Sequence, residues 1–188
     1  ALLRAHRRRG PLPSFTLGTA MYKSLIIGAG AALLLAAPAL ACTDIASKTV
    51  KLTGCIDTEW VAGTGTGAQE FVYLTADQNF GLQVITETEP VPAAQFRDAI
   101  ITNAATAIKG TKDDVKIVGE RIENIDGKPF NVLEYTIPNA GNPVLFQNFY
   151  YSQPGFGSVQ ILGYSLVADG NAAGYKTGVF AGTVKLGE

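Results

Sequence analysis

One histidine, two cysteines and sixteen acidic residues in a chain of 188 decide which chemistry is open to it. The histidine, His6, stands before the only methionine, Met21. A chain matured beyond Met21 therefore has no imidazole. That removes Ser-His-Asp and Cys-His catalysis and every histidine-containing zinc site. Two cysteines cannot build a cysteine-rich metal site either. Asp113-Asp114 reads as a solvated turn ahead of a strand. Glu120, Glu123 and Asp126 are spread along a hairpin without the oxygen spacing of a calcium loop. Two carboxylates suffice for a glycosidase, but an acidic chain offers many such pairs and none stands out. Gly63-Thr64-Gly65-Thr66-Gly67 fails as a phosphate cradle. No Lys-Ser/Thr follows it, and the next segment reads as a strand where a P-loop needs a helix; a turn is the better reading. The sequence implies no catalytic residue, no metal and no cofactor, so the expectation is a protein that is not an enzyme.

The cysteines depend on how the chain begins. From Met21 the text is that of a secretory signal: Lys23, an apolar run over 25–35, Pro38, then Ala39-Leu40-Ala41 as a small-x-small cleavage site. Residues 1–20 carry Arg4 and Arg7-Arg8-Arg9 and no acidic residue. They are expected to be an upstream extension outside the fold. A transit peptide or a twin-arginine signal fits less well, because the arginines stand far from the apolar run. That run is also short for a membrane span, so none is expected once the signal is removed. Cleavage after Ala41 leaves Cys42 first, with two readings. A disulfide to Cys55 is favoured by the even cysteine count of an exported chain. A lipid anchor on Cys42 is disfavoured, since Ala39 holds the place where such a signal wants leucine. The expected location is periplasmic or secreted. From Cys42 onward there are 10 basic and 16 acidic residues, a net charge of −6. That balance lacks the basic footprint of a nucleic-acid binder and does not favour anionic lipid surfaces.

Residues 42–188 have the length of one α+β domain, enough to bury a real core. Its centre is a run of strands predicted over 115–123, 130–137, 145–151 and 157–167, forming one antiparallel sheet. Asp126-Gly127 is a tight-hairpin pair. The strand at 130–137 is apolar on both parities, which marks a central strand covered by a helix. The first strand changes parity, with Val115 and Ile117 ahead of Gly119 and Ile122 after it, which suggests a bulge near Gly119; Gly163 suggests a bulge or a close backbone approach. A second hairpin is expected over 70–75 and 80–86, and a short strand over 49–52. After Pro90-Val91-Pro92, the spacing of Phe96, Ile100, Ala104 and Ile108 predicts a helix over 93–108, lying across the sheet. A shorter helix over 171–180 and an edge strand over 183–186 close the chain.

This order resembles the superfamily that joins the PsbP proteins, the periplasmic DcrB-like proteins and a small Ran-binding nuclear import factor. The carrying features are the hairpin at 70–86, the helix at 93–108, and Val118-Gly119-Glu120-Arg121 ahead of Asp126-Gly127-Lys128-Pro129-Phe130. The strand Leu133-Glu134-Tyr135-Thr136 completes them. The resemblance covers about residues 70–186 and contains no sharp catalytic motif. It implies an α/β/α sandwich and a non-enzymatic, partner-binding or assembly role.

Phe146, Phe149, Tyr150, Tyr151, Phe156 and Tyr164 are dense in the later strands. They read as core and cross-strand pairs, or, where one parity is left uncovered, as a surface for a partner or an apolar ligand. Either Phe149 and Tyr151 face the helix and Phe146 and Tyr150 face outward, or the reverse. Trp60 and Tyr135 join such a surface or are buried. Two functions follow. The first is an envelope accessory protein that binds another protein through a sheet face or the loops at 138–143 and 153–157. The second is a carrier holding a small apolar molecule in a cavity lined by Phe149, Tyr151 and Ile100.

Overall fold

In order, the chain forms β1 (Cys42–Ala46), β2 (Leu52–Asp57), β3 (Trp60–Ala62), β4 (Gln69–Thr75), β5 (Phe80–Glu87) and α1 (Ala93–Ala107). β6 (Lys116–Ile125), β7 (Lys128–Ile137), β8 (Val144–Gln153), β9 (Gly157–Leu166), α2 (Ala172–Thr183) and β10 (Lys185–Leu186) follow. This computed structural model describes residues 42–169 and 172–187. Residues 1–20 and 21–41, read above as an extension and a signal, lie outside the described residues, as does Asn171 at the head of the expected tail helix.

Seven strands make one antiparallel sheet in the order β3-β4-β5-β9-β8-β7-β6. The meander from β6 to β9 forms as its sequence pattern requires. Asp126 and Gly127 take φ of 51° and 76°, the left-handed pair that a two-residue hairpin needs. The register of β6 on β7 shifts between Ile117 and Gly119, which is the bulge that the parity change demanded. α1 joins β5 to β6 at the far edge of the sheet. β1, β2 and β10 form a small second sheet. α2 lies between the two sheets, packing on β9, β8 and β5 on one side and on β2 on the other.

The expected strand at 49–52 lies later in the chain. The N–H groups of Thr49 and Val50 donate to Ser47 Oγ at 3.1 and 3.0 Å. This side-chain turn uses up the residues that looked extended, and β2 starts only at Leu52. The tail strand forms at Lys185–Leu186 and pairs with β2, away from the large sheet. Asp113 and Asp114 end a single 3-10 turn, Lys112–Asp114, in which Asp114 accepts from the N–H of Thr111 at 2.8 Å.

Each face of the large sheet carries its own core. On the α2 face, Leu82, Val84, Phe130, Val159 and Ile161 are fully enclosed and pack with Phe180 and Ala181 of α2 and Ile45, Leu52 and Ile56 of the small sheet. On the α1 face, Leu133, Tyr135 and Tyr150 meet Ile100, Ile101, Ala104 and Ala105. Each fully enclosed apolar side chain contributes about 1.5–3 kcal/mol. Gly163 lets α2 approach: a Cβ there would fall 1.7 Å from Thr177 Oγ1. The ladder on both sides of Gly163 is regular, so this glycine serves close approach and not a bulge.

Cys42 and Cys55 are joined in a disulfide across the β1–β2 pair, with Cα atoms 5.6 Å apart. The sulfur of Cys42 is thereby engaged, which removes the thiol that a lipid anchor would modify. No described helix is long and apolar enough to cross a membrane.

Candidate functional site

α1 packs on β7 and β8 and so covers only one half of its face of the sheet. The other half, on β3, β4, β5 and β9, shows a strict alternation. Tyr73, Leu82, Val84, Val159 and Ile161 point to the α2 core, while their neighbours Val72, Leu74, Gln83, Ile85, Gln160, Leu162, Tyr164 and Leu166 are half-buried. Val61 on β3 is 57 % exposed on the same face. None of these outward positions holds a charge; the first is Glu87 at the end of β5. The polar members are amides that pair among themselves. Gln69 Nε2 donates to Gln83 Oε1 at 2.8 Å, and Gln160 Nε2 to Asn148 Oδ1 at 2.6 Å. An apolar surface depleted of charge has the composition of an interface centre more than of ordinary solvated surface.

One register row organises the face. Ile117, Tyr135, Phe146, Tyr164, Gly81, Leu74 and Val61 are paired in succession across all seven strands. Within it the rings of Tyr135 and Phe146 stack at 5.1 Å, and those of Phe146 and Tyr164 at 5.6 Å. Gly81 leaves the space that Tyr164 fills. Tyr135, at the covered end, is 4 % exposed. Burial pushes its phenol up to about 12, against the smaller opposing effect of a hydrogen bond with Asn148. The row thus runs from a buried anchor to the half-open ring of Tyr164.

The six aromatic residues singled out in the sequence divide three ways. Phe149 and Tyr151 face α2, with Tyr151 stacked on Phe130 at 5.2 Å. Tyr150 faces α1, its ring 5.1 Å from that of Phe96. Phe156, in the β8–β9 turn, packs half-buried on the α2-side core near Tyr151. Tyr164 alone among the six lies on the uncovered half; Phe146, on β8, packs partly buried on the α1-side core and touches that half only through its stack on Tyr164. Trp60 and Tyr135 are buried. Phe149 and Tyr151 are separated from Ile100 by the thickness of the sheet, since the first two belong to the α2-side core and the third to the α1-side core. The cavity imagined between those three residues therefore does not exist.

The aliphatic members of the face, Val61, Val72, Leu74, Leu162 and Leu166, were not singled out. The alternation of Leu162, Tyr164 and Leu166 in the sequence was the available signal. The edges of the sheet are protected. β3 has only three residues, and β6 carries Glu120 in an ion pair with Arg97 and Arg121 in ion pairs with Glu123 and Glu134, which blunts strand addition.

No protein-family model matches the chain, and no curated protein matches it by sequence. Among solved structures it is similar to cyanobacterial PsbP (CyanoP) from Synechocystis sp. PCC 6803. The TM-score is 0.56 at 12% identity, over 79% of this chain and 94% of that one. It also matches LpqN, involved in cell envelope biogenesis of Mycobacterium tuberculosis, with a TM-score of 0.49 at 12% identity over 77% and 90% of the two chains. A protein of Bacteroides thetaiotaomicron matches with a TM-score of 0.45 at 9% identity, over 73% of this chain and 45% of that one. At such identity the likeness to CyanoP speaks of fold alone, and it agrees with the strand order and helix placement above: the described residues have the antiparallel α+β fold of the PsbP-like proteins.

Proposed function

We propose that this chain is an exported, non-enzymatic accessory protein of the cell envelope that binds another protein through the uncovered β3–β4–β5–β9 half of its sheet. The observation that carries this reading is the continuous uncharged face centred on Leu162 and Tyr164, which α1 leaves open although it covers the other half. Export rests on the reading of residues 21–41 as a secretory signal. The non-enzymatic reading rests on the lack of imidazole beyond Met21.

A photo-crosslinking amino acid placed at Leu162 tests the proposal, with the same group at Ile122, 70 % exposed on the β6 edge, as control. A discrete adduct with one envelope protein from the Leu162 position, reduced by Leu74→Lys and lacking from the Ile122 position, is the expected result. The same adducts from both positions, or none from either in the native envelope, would overturn it. Retention of the chain in the cytoplasm would overturn the export half separately.

A further inference from the structure

α1 packs on two strands, β7 and β8. That is the width a helix covers, since strands lie about 4.8 Å apart and a helix with its side chains is about 10 Å across. The next two strands, β9 and β5, carry no helix on this face among the described residues. At the seam between them and α1 lies a groove of about 290 Å³. It falls just below the roughly 300–1,000 Å³ of small-molecule sites, a size that seats side chains of a partner. One wall is a stripe of α1, Phe96, Ala99 and Asn103, at spacings of three and four. Ala99 and Asn103 are exposed, so this flank of α1 is bare. The floor is Ile85 of β5 and Gln160 of β9.

Hydrogen bonding decides which backbone can lie here. An extended segment laid on the face would bury N–H and C=O groups that need partners. The face offers few. Its glutamines are already bonded, Gln69 to Gln83 and Gln160 to Asn148, and Ile85, Leu162 and Leu166 offer none. Strand addition needs a sheet edge, and β5 and β9 are paired on both sides. A helix brings its own backbone bonds and needs only side chains to pack on. The small side chain of Ala99 lets its axis approach α1 to the usual distance of about 8–10 Å. Charge adds a further demand. Glu87 is the only charged residue lining the groove. It is exposed, and no ion pair engages it among the described residues. Arg97, the one cation of α1, is held by Glu120 on β6. A lysine or arginine on the occupant complements Glu87.

On the premise that the uncovered face docks a protein, as proposed above, we propose that the docked segment is an amphipathic α-helix. It lies beside α1 over β5 and β9, with a lysine or arginine facing Glu87. Its apolar residues, at spacings of three and four, sit on Ile85 and Leu162 and enter the groove along Phe96 and Ala99. The helix layer on this side of the sheet is then completed by the partner.

Two photo-crosslinking positions on β9 serve as a ruler. Leu162 and Leu166 stand on the same parity of that strand, about 13 Å apart at the usual rise per residue. A helix covers that length in about nine residues, or about seven where it crosses the strand obliquely. An extended segment covers it in about four. Adducts formed in the native envelope are digested, and the partner residues are mapped by mass spectrometry. The expected sites lie about seven to nine residues apart in one segment, each flanked by weaker sites three or four residues away. Glu87→Lys should lower the yield at Leu162 by about threefold or more. Glu87 is exposed, and circular dichroism should confirm intact folding of the variant. Sites about four residues apart, or in separate segments, would overturn the helix and leave the docking face standing. No adduct from either position, or adducts with a second copy of this chain alone, would overturn both. An unchanged yield in Glu87→Lys would overturn the cation opposite Glu87.

Discussion

Tyr164 lies across Gly81 on the adjacent strand: a Cβ built on Gly81 would fall 2.1 Å from Tyr164 Cζ and 2.3 Å from its Cε1. The two residues are directly paired in the β5–β9 ladder. Gly81 therefore sets where the ring rests, and the ring sets the outline of the uncovered face. Gly81→Val should push Tyr164 out of the row and away from Phe146. The expected cost is about 1–3 kcal/mol of stability, as for other overpacked sites, read as a lower urea midpoint. Glycine is also poor at holding a strand, so a smaller loss would mean that the valine's strand propensity offsets the displaced ring.

Gly163 and Thr177 form the equivalent contact on the α2 face. Here the neighbour cannot give way by rotation, because a Cβ on Gly163 would meet Thr177 Oγ1 at 1.7 Å and its Cβ at 2.8 Å. Gly163→Ala should cost about 2–4 kcal/mol by shifting α2 off β9. Thr177→Ala removes the nearer atom and should restore part of that loss in the double variant. A double-mutant cycle measures it; strict additivity would show that the two residues are not the pair in conflict.

Core and face should separate in their effects. Phe149 is 1 % exposed, and Phe149→Ala should cost about 3–5 kcal/mol. Leu162→Ser, on the half-buried outward parity of β9, should cost about 1 kcal/mol or less yet abolish the envelope-partner adduct of a photo-crosslinking group placed at Leu74 on the same face. Equal losses of stability at the two positions would show that the face is core.

Much of the fold could be read from the chain because its signals are local. The Asp126-Gly127 turn, the parity break at Gly119 and the spacing of Ile100 and Ala104 each act within a few residues. β3 is not legible because three residues carry no periodicity, and the extended look of 49–52 misleads because the Ser47 side chain competes for the backbone of Thr49 and Val50. The candidate face was harder. Tyr135, Phe146, Tyr164 and Gly81 come from four strands, and only the register aligns them. Aromatic density drew attention to Phe149, Tyr150 and Tyr151, which serve the two cores.

The Cys42–Cys55 bridge spans a sequence separation of 13. On the chain-entropy model, closing a loop of this size stabilises the folded state by about 3 kcal/mol. Reduction, or Cys55→Ser paired with Cys42→Ser, should lower the urea midpoint accordingly. It should also alter Trp60 emission, because Cys42 and Cys55 line the same surface groove as that ring. A full-sized loss of stability with unchanged emission would place the effect in the unfolded chain alone.

The acid limb of stability should be carried by Glu70. This half-buried carboxylate on β4 accepts from Ser47 Oγ at 2.6 Å, from Thr86 Oγ1 at 2.7 Å and from the N–H of Lys48. It ties the β1–β2 loop to the large sheet. Burial by itself raises its pKa, but the three hydrogen bonds outweigh that and hold it below the ordinary glutamate value of 4.5. Glu134 behaves alike, with burial outweighed by Arg121 and Gln147. A carboxyl whose folded pKa lies below its unfolded one binds fewer protons in the folded state. Its contribution is complete above the unfolded value and disappears as the pH falls through the folded one. The only histidine, His6, lies outside the described residues, so nothing in the fold titrates near neutrality through an imidazole. The urea midpoint should therefore be level from pH 8 down to about pH 5.5 and then decline. Glu70→Gln keeps the shape but replaces a carboxylate oxygen with an amide that has nothing to accept from its donors. It should cost about 1–2 kcal/mol at pH 7 and make the acid decline shallower. A decline parallel to that of the parent protein would move the acid sensitivity to other carboxylates, Glu134 first.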